Sequence, residues 1–304
     1  MPASKQFEIR KRETFEQGIY RLLESLNTDT ARLLIAGSRV HLSIHEARKN
    51  IKKLRAVLRL IRHEIGIEKY QELNIFYRET GQKIALLRDD TSMVELLENF
   101  KENIKSPELQ KVIQKSIRLA KKKREKEFAD FYKNKKGAQL NKSLSGKMAA
   151  LKQANISGNP EIFIMQSVGK VHRDTIKRMK QAEKEGSNEA YHNWRKQVKY
   201  LMFQMMILKN AWPKFFDAYI DELDKLQKLL GSLHDLNILN NYAVQGDLLT
   251  LDKKQKEALL NYIYPRRASL KKQVHVIGKQ LFAENSVAFS KRVLGIWNNS
   301  GFAS

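Results

Sequence analysis

The chain has 304 residues, 57 Lys and Arg against 33 Asp and Glu, and a formal net charge of +24 at pH 7. An imbalance of that size exceeds what solubility requires and points to an anionic partner. The lack of cysteine excludes disulfides, thiolate nucleophiles and cysteine-bearing zinc sites.

Residues 1–15 are charged throughout and lack the apolar run of a secretory signal. No stretch approaches the ~20 apolar residues of a spanning helix, so a cytoplasmic protein without membrane insertion is expected. Only five prolines occur, and apolar residues recur at three- and four-residue steps, so the regular structure should be helical with no strand. The periodicity predicts helices over 8–26, 38–64, 68–85, 89–101 and 107–133. A stretch rich in Lys, Gly, Ser and Asn follows at 134–160, and then helices over 161–184, 188–210, 214–230, 234–242, 252–282 and 286–297.

Two segments repeat. IHEARKNIKKLRAVLRLI from Ile44 resembles YHNWRKQVKYLMFQMMIL from Tyr191 in the same phase, which places His45 with His192, Arg48 with Arg195, Lys49 with Lys196 and Lys52 with Lys199. The offset, 45 to 192, is 147 residues. Further on, IALLRDD, with Arg88-Asp89, matches LLGSLHD, with His234-Asp235, at an offset, 89 to 235, of 146 residues. The expected architecture is therefore all-α: two antiparallel helical bundles related by internal duplication and pseudo-two-fold symmetry, with a basic central groove. Residues 1–135 and 161–304 would be the two halves of one domain, joined by a connector at 136–160.

From His45, steps of three and four reach Arg48, Lys52, Arg55, Arg59 and Arg62, a strip within an arc of roughly 100° beside the apolar Ile51, Leu54, Leu58, Ile61 and Ile65. Like charges at these spacings cost helix stability, and no acid lies on the strip to offset them. A charge run is usually a solvated face, but such a face mixes Glu with Lys, so an acid-free strip points to a binding surface. The second copy is thinner, with Met202 and Met206 where Arg55 and Arg59 stand and Lys209 matching Arg62. Lys111, Lys115, Arg118 and Lys122 form another such stripe, as do Arg173, Lys177 and Lys180. No aromatic lies between His45 and Arg62, whereas a single-strand nucleic-acid platform interleaves aromatics with cations. Trp194, matching Ala47, reads as a core residue.

The paired His-x-x-Arg motifs, each followed by Lys or Arg on the same helix, and the later LG-x-x-x-D-like segment resemble the CHAD family, the conserved histidine α-helical domain. The resemblance covers most of the chain. It implies two helical bundles with internal symmetry around a basic groove that binds inorganic polyphosphate, held by His45, Arg48, Lys49, Lys52, Lys53, Arg55 and Arg59 in the first half and by His192, Arg195, Lys196 and Lys199 in the second. The strip adds Arg62. Ala85 departs from the family glycine that Gly231 supplies. Asp89 and Asp235 are expected either to hold nearby arginines or to cap helices.

Two other readings compete. Structured RNA or duplex DNA would also answer to the charge, and a scaffold recruited to polyphosphate granules would differ only in cell biology. His41 and His45, four apart, could share a metal, but the closing histidine of a zinc-protease pattern is absent and a divalent ion would be repelled there. Neither a cofactor nor catalysis is expected: the sequence has no Gly-rich phosphate loop and no nucleophile with its base. Phosphate or sulfate ions are the small ligands such a groove should take.

Overall fold

A computed structural model describes residues 7–37, 39–152, 156–245 and 251–302. Among them the chain is all-α, with helices α1 (Phe15–Leu34), α2 (Val40–Leu60), α3 (Ile67–Lys83), α4 (Ala85–Asn103), α5 (Pro107–Lys133) and α6 (Lys136–Lys152) in the first half. A π-helical segment (Glu161–Val168) leads into α7 (Gly169–Glu185), followed by α8 (Asn188–Leu208), α9 (Pro213–Gln245), α10 (Lys253–Leu281) and α11 (Ser286–Asn298). Ser38, at the expected start of the second helix, lies outside the described residues, as does the side chain of Arg88.

Helix starts follow local chemistry. Thr14 and Gln17 form a capping box at α1, Asp252 and Gln255 another at α10, and Ser106 ahead of Pro107 caps α5. The first helix starts later than its periodicity suggests because residues 7–10 are used elsewhere: Ile9 N–H donates to the Ile207 carbonyl at 3.0 Å and Asn210 Nδ2 donates to the Ile9 carbonyl at 2.8 Å.

The connector is not coil. Its helix α6 docks on α1, burying Leu140 and Leu144, with Asn141 Nδ2 donating to Ala31 O at 2.9 Å and Asn27 Nδ2 donating to Leu144 O at 3.0 Å. Gly137 permits this approach, since a Cβ there would stand 2.1 Å from the Leu34 carbonyl oxygen. The glycine that reads as a loop signal is a close-packing residue.

A second difference is α9, one helix where the sequence suggests a break near Gly231. Leu223, Leu226, Leu230 and Leu233 bury in the main core, and Leu239 and Ala243 continue the apolar face into a separate cluster. That face runs at helical spacing through the glycine, so burial overrides its ~1 kcal/mol helix penalty. In the first half, α3 and α4 are separated by Ile84 alone.

The element order of the second half follows that of the first. α5 begins at 107 and α10 at 253; α2 begins at 40 and α8 at 188; α6 packs on α1, and α11 packs on the π-helical segment and α7. One hydrophobic core draws residues from both halves, with α2 packed against α8 at its centre. A smaller cluster joins the far ends of α4 and α5 to those of α9 and α10 through Leu97, Phe100, Ile113, Leu239 and Ile263.

Candidate functional site

The C-terminal half of α2 is buried on most sides, by Ile51, Leu54, Ala56, Val57, Leu58 and Leu60, and so is that of α8, by Val198, Leu201, Met202, Phe203 and Met205. Cations on these helices therefore emerge through narrow arcs beside apolar neighbours rather than from open surface. Trp194 is fully buried, as expected of a core residue.

On α2, His45, Lys49 and Lys52 are exposed, while Arg48, Lys53, Arg55 and Arg59 are half-buried. Glu46 reaches both neighbours, 3.4 Å from Lys49 Nζ and 4.0 Å from His45 Nε2, so the strip has an acid at its edge that helical phase alone does not reveal. Arg55 Nε donates to Asn74 Oδ1 at 3.0 Å, and Arg59 Nη1 donates to the Arg55 carbonyl at 2.9 Å. Arg62 departs from the strip: it lies past the end of α2, only 6% exposed, with Nη2 donating to the Gln166 carbonyl at 3.3 Å and Nε to His63 Nε2 at 3.0 Å.

The two helices bring their charges together. Burial pushes the Lys199 ammonium down to about 8, with Arg195 and Lys49 adding to the shift and Asp224 opposing it. Burial likewise pushes His192 down to about 4, with Lys196, His234, Arg195 and Lys52 contributing. Lys49 and Lys52 are thus close enough to weigh on groups of the other half. Lys53 is lowered by burial and by Lys49, and its Nζ lies over the Phe7 ring at 4.7 Å. The Arg59 guanidinium lies over the Tyr200 ring, 3.8 Å from its centroid. Lys196, exposed, donates to Asn193 Oδ1 at 3.0 Å.

In each half an aspartate of the later motif lies near the arginine of the His-x-x-Arg motif. Asp89 Oδ1 is 3.7 Å from Arg48 Nη2, and Asp235 favours the charged form of Arg195, which burial lowers. Gly231 makes room for Arg195: a Cβ there would lie 3.3 Å from Nη2, and Arg195 Nε donates to the Gln227 carbonyl at 3.4 Å. The His192 and His234 rings stand 5.1 Å apart.

The additional stripes face solvent. Lys111, Lys115, Arg118 and Lys122 are exposed on α5, and Lys177 and Lys180 on α7. Arg173, also exposed, comes close enough to Arg62 to contribute to its lowering, which burial dominates. His41 stacks edge-on against Phe128 at 4.5 Å. Lys170, His63 and Gln197 gather with Arg59 and Arg62 around one recess; of these additions none carried a sequence signal, because they come from segments outside the repeat motif or from its uncharged positions.

No helix among the described residues is long and apolar enough to cross a membrane. A solved structure described as the CHAD domain from the plant Ricinus communis is similar in fold, with a TM-score of 0.59 at 16% identity, covering 96% of this chain and 95% of that one. No curated protein matches the sequence. The family model for the CHAD domain matches residues 20–243, a span that contains both His-x-x-Arg helices and both aspartates, and the chain belongs to that family.

Proposed function

We propose that the protein is a non-catalytic binder of a long polyanion, inorganic polyphosphate, held between α2 and α8. The observation that carries the reading is the packing of α2 against α8, which sets Arg59 over the Tyr200 ring and brings Lys49 and Lys52 within electrostatic reach of Lys199 and of the neutral His192. Packing like charges beside apolar surface costs the free protein stability, and a polyanion laid along them relieves that cost while releasing its own counterions. Arg48, Arg55, Arg59 and Arg195 supply guanidinium forks that suit phosphate oxygens, with Lys49, Lys52, Lys53, Lys196 and Lys199 as mobile point charges. His45 and His192 add donors.

The aromatics beside these cations favour phosphate over bases. Phe203 and Phe7 are buried, and Arg59 occupies one face of Tyr200, so little aromatic surface is left for stacking beside these cations. A cytoplasmic location, with recruitment to polyphosphate granules, accords with this reading. The test is competition: long-chain polyphosphate should displace a labelled duplex oligonucleotide at far lower phosphate concentration than the reverse. Duplex DNA winning at physiological salt would overturn the assignment in favour of a nucleic-acid binder.

A further inference from the structure

Past the end of α2 lies a recess of about 290 Å³ lined by Arg59, Arg62, His63, Tyr70, Lys170 and Gln197, with Asp174 at its side. Three of these are permanent cations against one acid. Arg62, nearly buried, commits two of its five N–H donors to Gln166 and His63. Lys170 Nζ is 3.7 Å from Asp174 Oδ2, a distance that leaves it able to serve a second anion. Arg59 belongs to both the recess and the α2 strip, so the recess continues the strip rather than forming a separate site.

The matching end of α8 is built differently. Lys209, the counterpart of Arg62, is tied to Asp217 at 2.8 Å, and residues 7–10 lie over that helix end through Ile9 and Asn210. The two halves therefore differ where their cationic helices end: one end is covered, the other opens into a cationic recess large enough for a phosphate group or two.

The chemistry of a polyphosphate chain distinguishes its ends. Internal units carry one charge each, whereas a terminal unit, like a phosphomonoester, has a second ionisation near neutrality and carries about −1.5 to −2. A recess with a surplus of fixed cations favours the unit with the extra charge. We propose that this recess seats the terminal phosphate of the bound chain, so that the protein holds its polyanion by one end, with the chain running from Arg62 and Lys170 along α2. This inference rests on the polyanion reading.

The experiment compares a monodisperse polyphosphate with free ends to the same chain with both ends converted to methyl phosphoramidates, whose terminal units carry one charge like internal ones. Affinities are read by isothermal titration calorimetry on the full chain. The free-ended chain should bind about tenfold more tightly, the equivalent of one charge-assisted hydrogen bond. In Lys170→Gln that ratio should fall toward one, the free-ended chain losing more affinity than the capped one. Arg62→Gln should do the same, with a thermal melt to check folding, and Lys170→Gln, at a partly exposed position, decides the matter if Arg62→Gln does not fold. Equal, tight binding of both chains by the parent would overturn end-seating and leave the polyanion reading standing. Failure of the parent to bind either chain would overturn both.

Discussion

The guanidinium of Arg59 rests on the ring of Tyr200, 3.8 Å from its centroid, joining the cationic strip of α2 to α8. The contact positions a cation that, on an isolated helix, would sample many rotamers. A cation–π contact of this kind is worth ~0.5–2 kcal/mol. Tyr200→Phe should retain polyphosphate affinity, whereas Tyr200→Ala should weaken it by roughly three- to tenfold. Fluorescence anisotropy with labelled polyphosphate checks both, and equal losses in the two variants would mean that the hydroxyl, not the ring, matters.

Lys199 gives the site a pH signature. Burial and its cationic neighbours hold it at about 8 in the free protein, below its ordinary 10.5, and a bound polyanion should raise it again. Binding above pH 8 should therefore take up protons, and affinity should fall as pH rises through 8. Calorimetry at pH 8.5 in buffers of different ionisation enthalpy measures the uptake, and Lys199→Met should diminish it.

Stability has a pH dependence of its own, set on the acid side and away from the site. His172 is fully buried, stacked on Phe289 at 4.1 Å, and burial lowers it to about 4 from 6.5, with Arg292 adding to the shift. The unfolded chain binds the proton first, so stability is complete above pH 6.5 and is lost as pH falls toward 4, by roughly 3 kcal/mol at the limit. His192, held low mainly by burial, acts in the same direction. Urea melts of the parent and His172→Phe between pH 7 and 4 should show a shallower acid slope in the variant. An unchanged slope would remove His172 from the account.

Two glycines separate fold from site. At Gly137 a Cβ would collide with the Leu34 carbonyl oxygen, which as backbone cannot yield, so Gly137→Val should undock α6 and lower the melting temperature by many degrees, a loss of several kcal/mol. At Gly231 the neighbour is the far end of Arg195, which can move. Alanine there regains helix propensity of ~1 kcal/mol, so Gly231→Ala should leave stability within about 1 kcal/mol while displacing Arg195 and weakening polyphosphate binding. Thermal melts paired with titrations distinguish the two behaviours.

The helical class, most helix bounds and the two His-x-x-Arg helices were legible in the sequence because burial imposes a 3.6-residue period on long segments. The sequence left Asp89 and Asp235 either holding arginines or capping helices; the structure sets Asp89 beside Arg48 and brings Asp235 within electrostatic reach of Arg195. What stayed hidden was tertiary. Gly137 and Gly231 read as breaks because single-sequence propensity cannot see a carbonyl or a guanidinium arriving from another helix. Arg62 falls in phase with the strip, yet α2 ends at Leu60, and the turn beyond it carries the guanidinium inward to Gln166. Lys170 and His63 belong to no repeat and were invisible until the chain folded.

The most direct test is the affinity of long-chain polyphosphate for the parent and for Arg48→Glu combined with Arg195→Glu, one reversal on each helix, measured across a salt series. The parent should bind with an affinity that falls steeply with salt, as expected where many cations displace counterions, and the double variant should lose most of that affinity and flatten the slope while keeping its helical circular dichroism. Unchanged affinity in a double variant of intact helicity would show that α2 and α8 do not hold the polyanion.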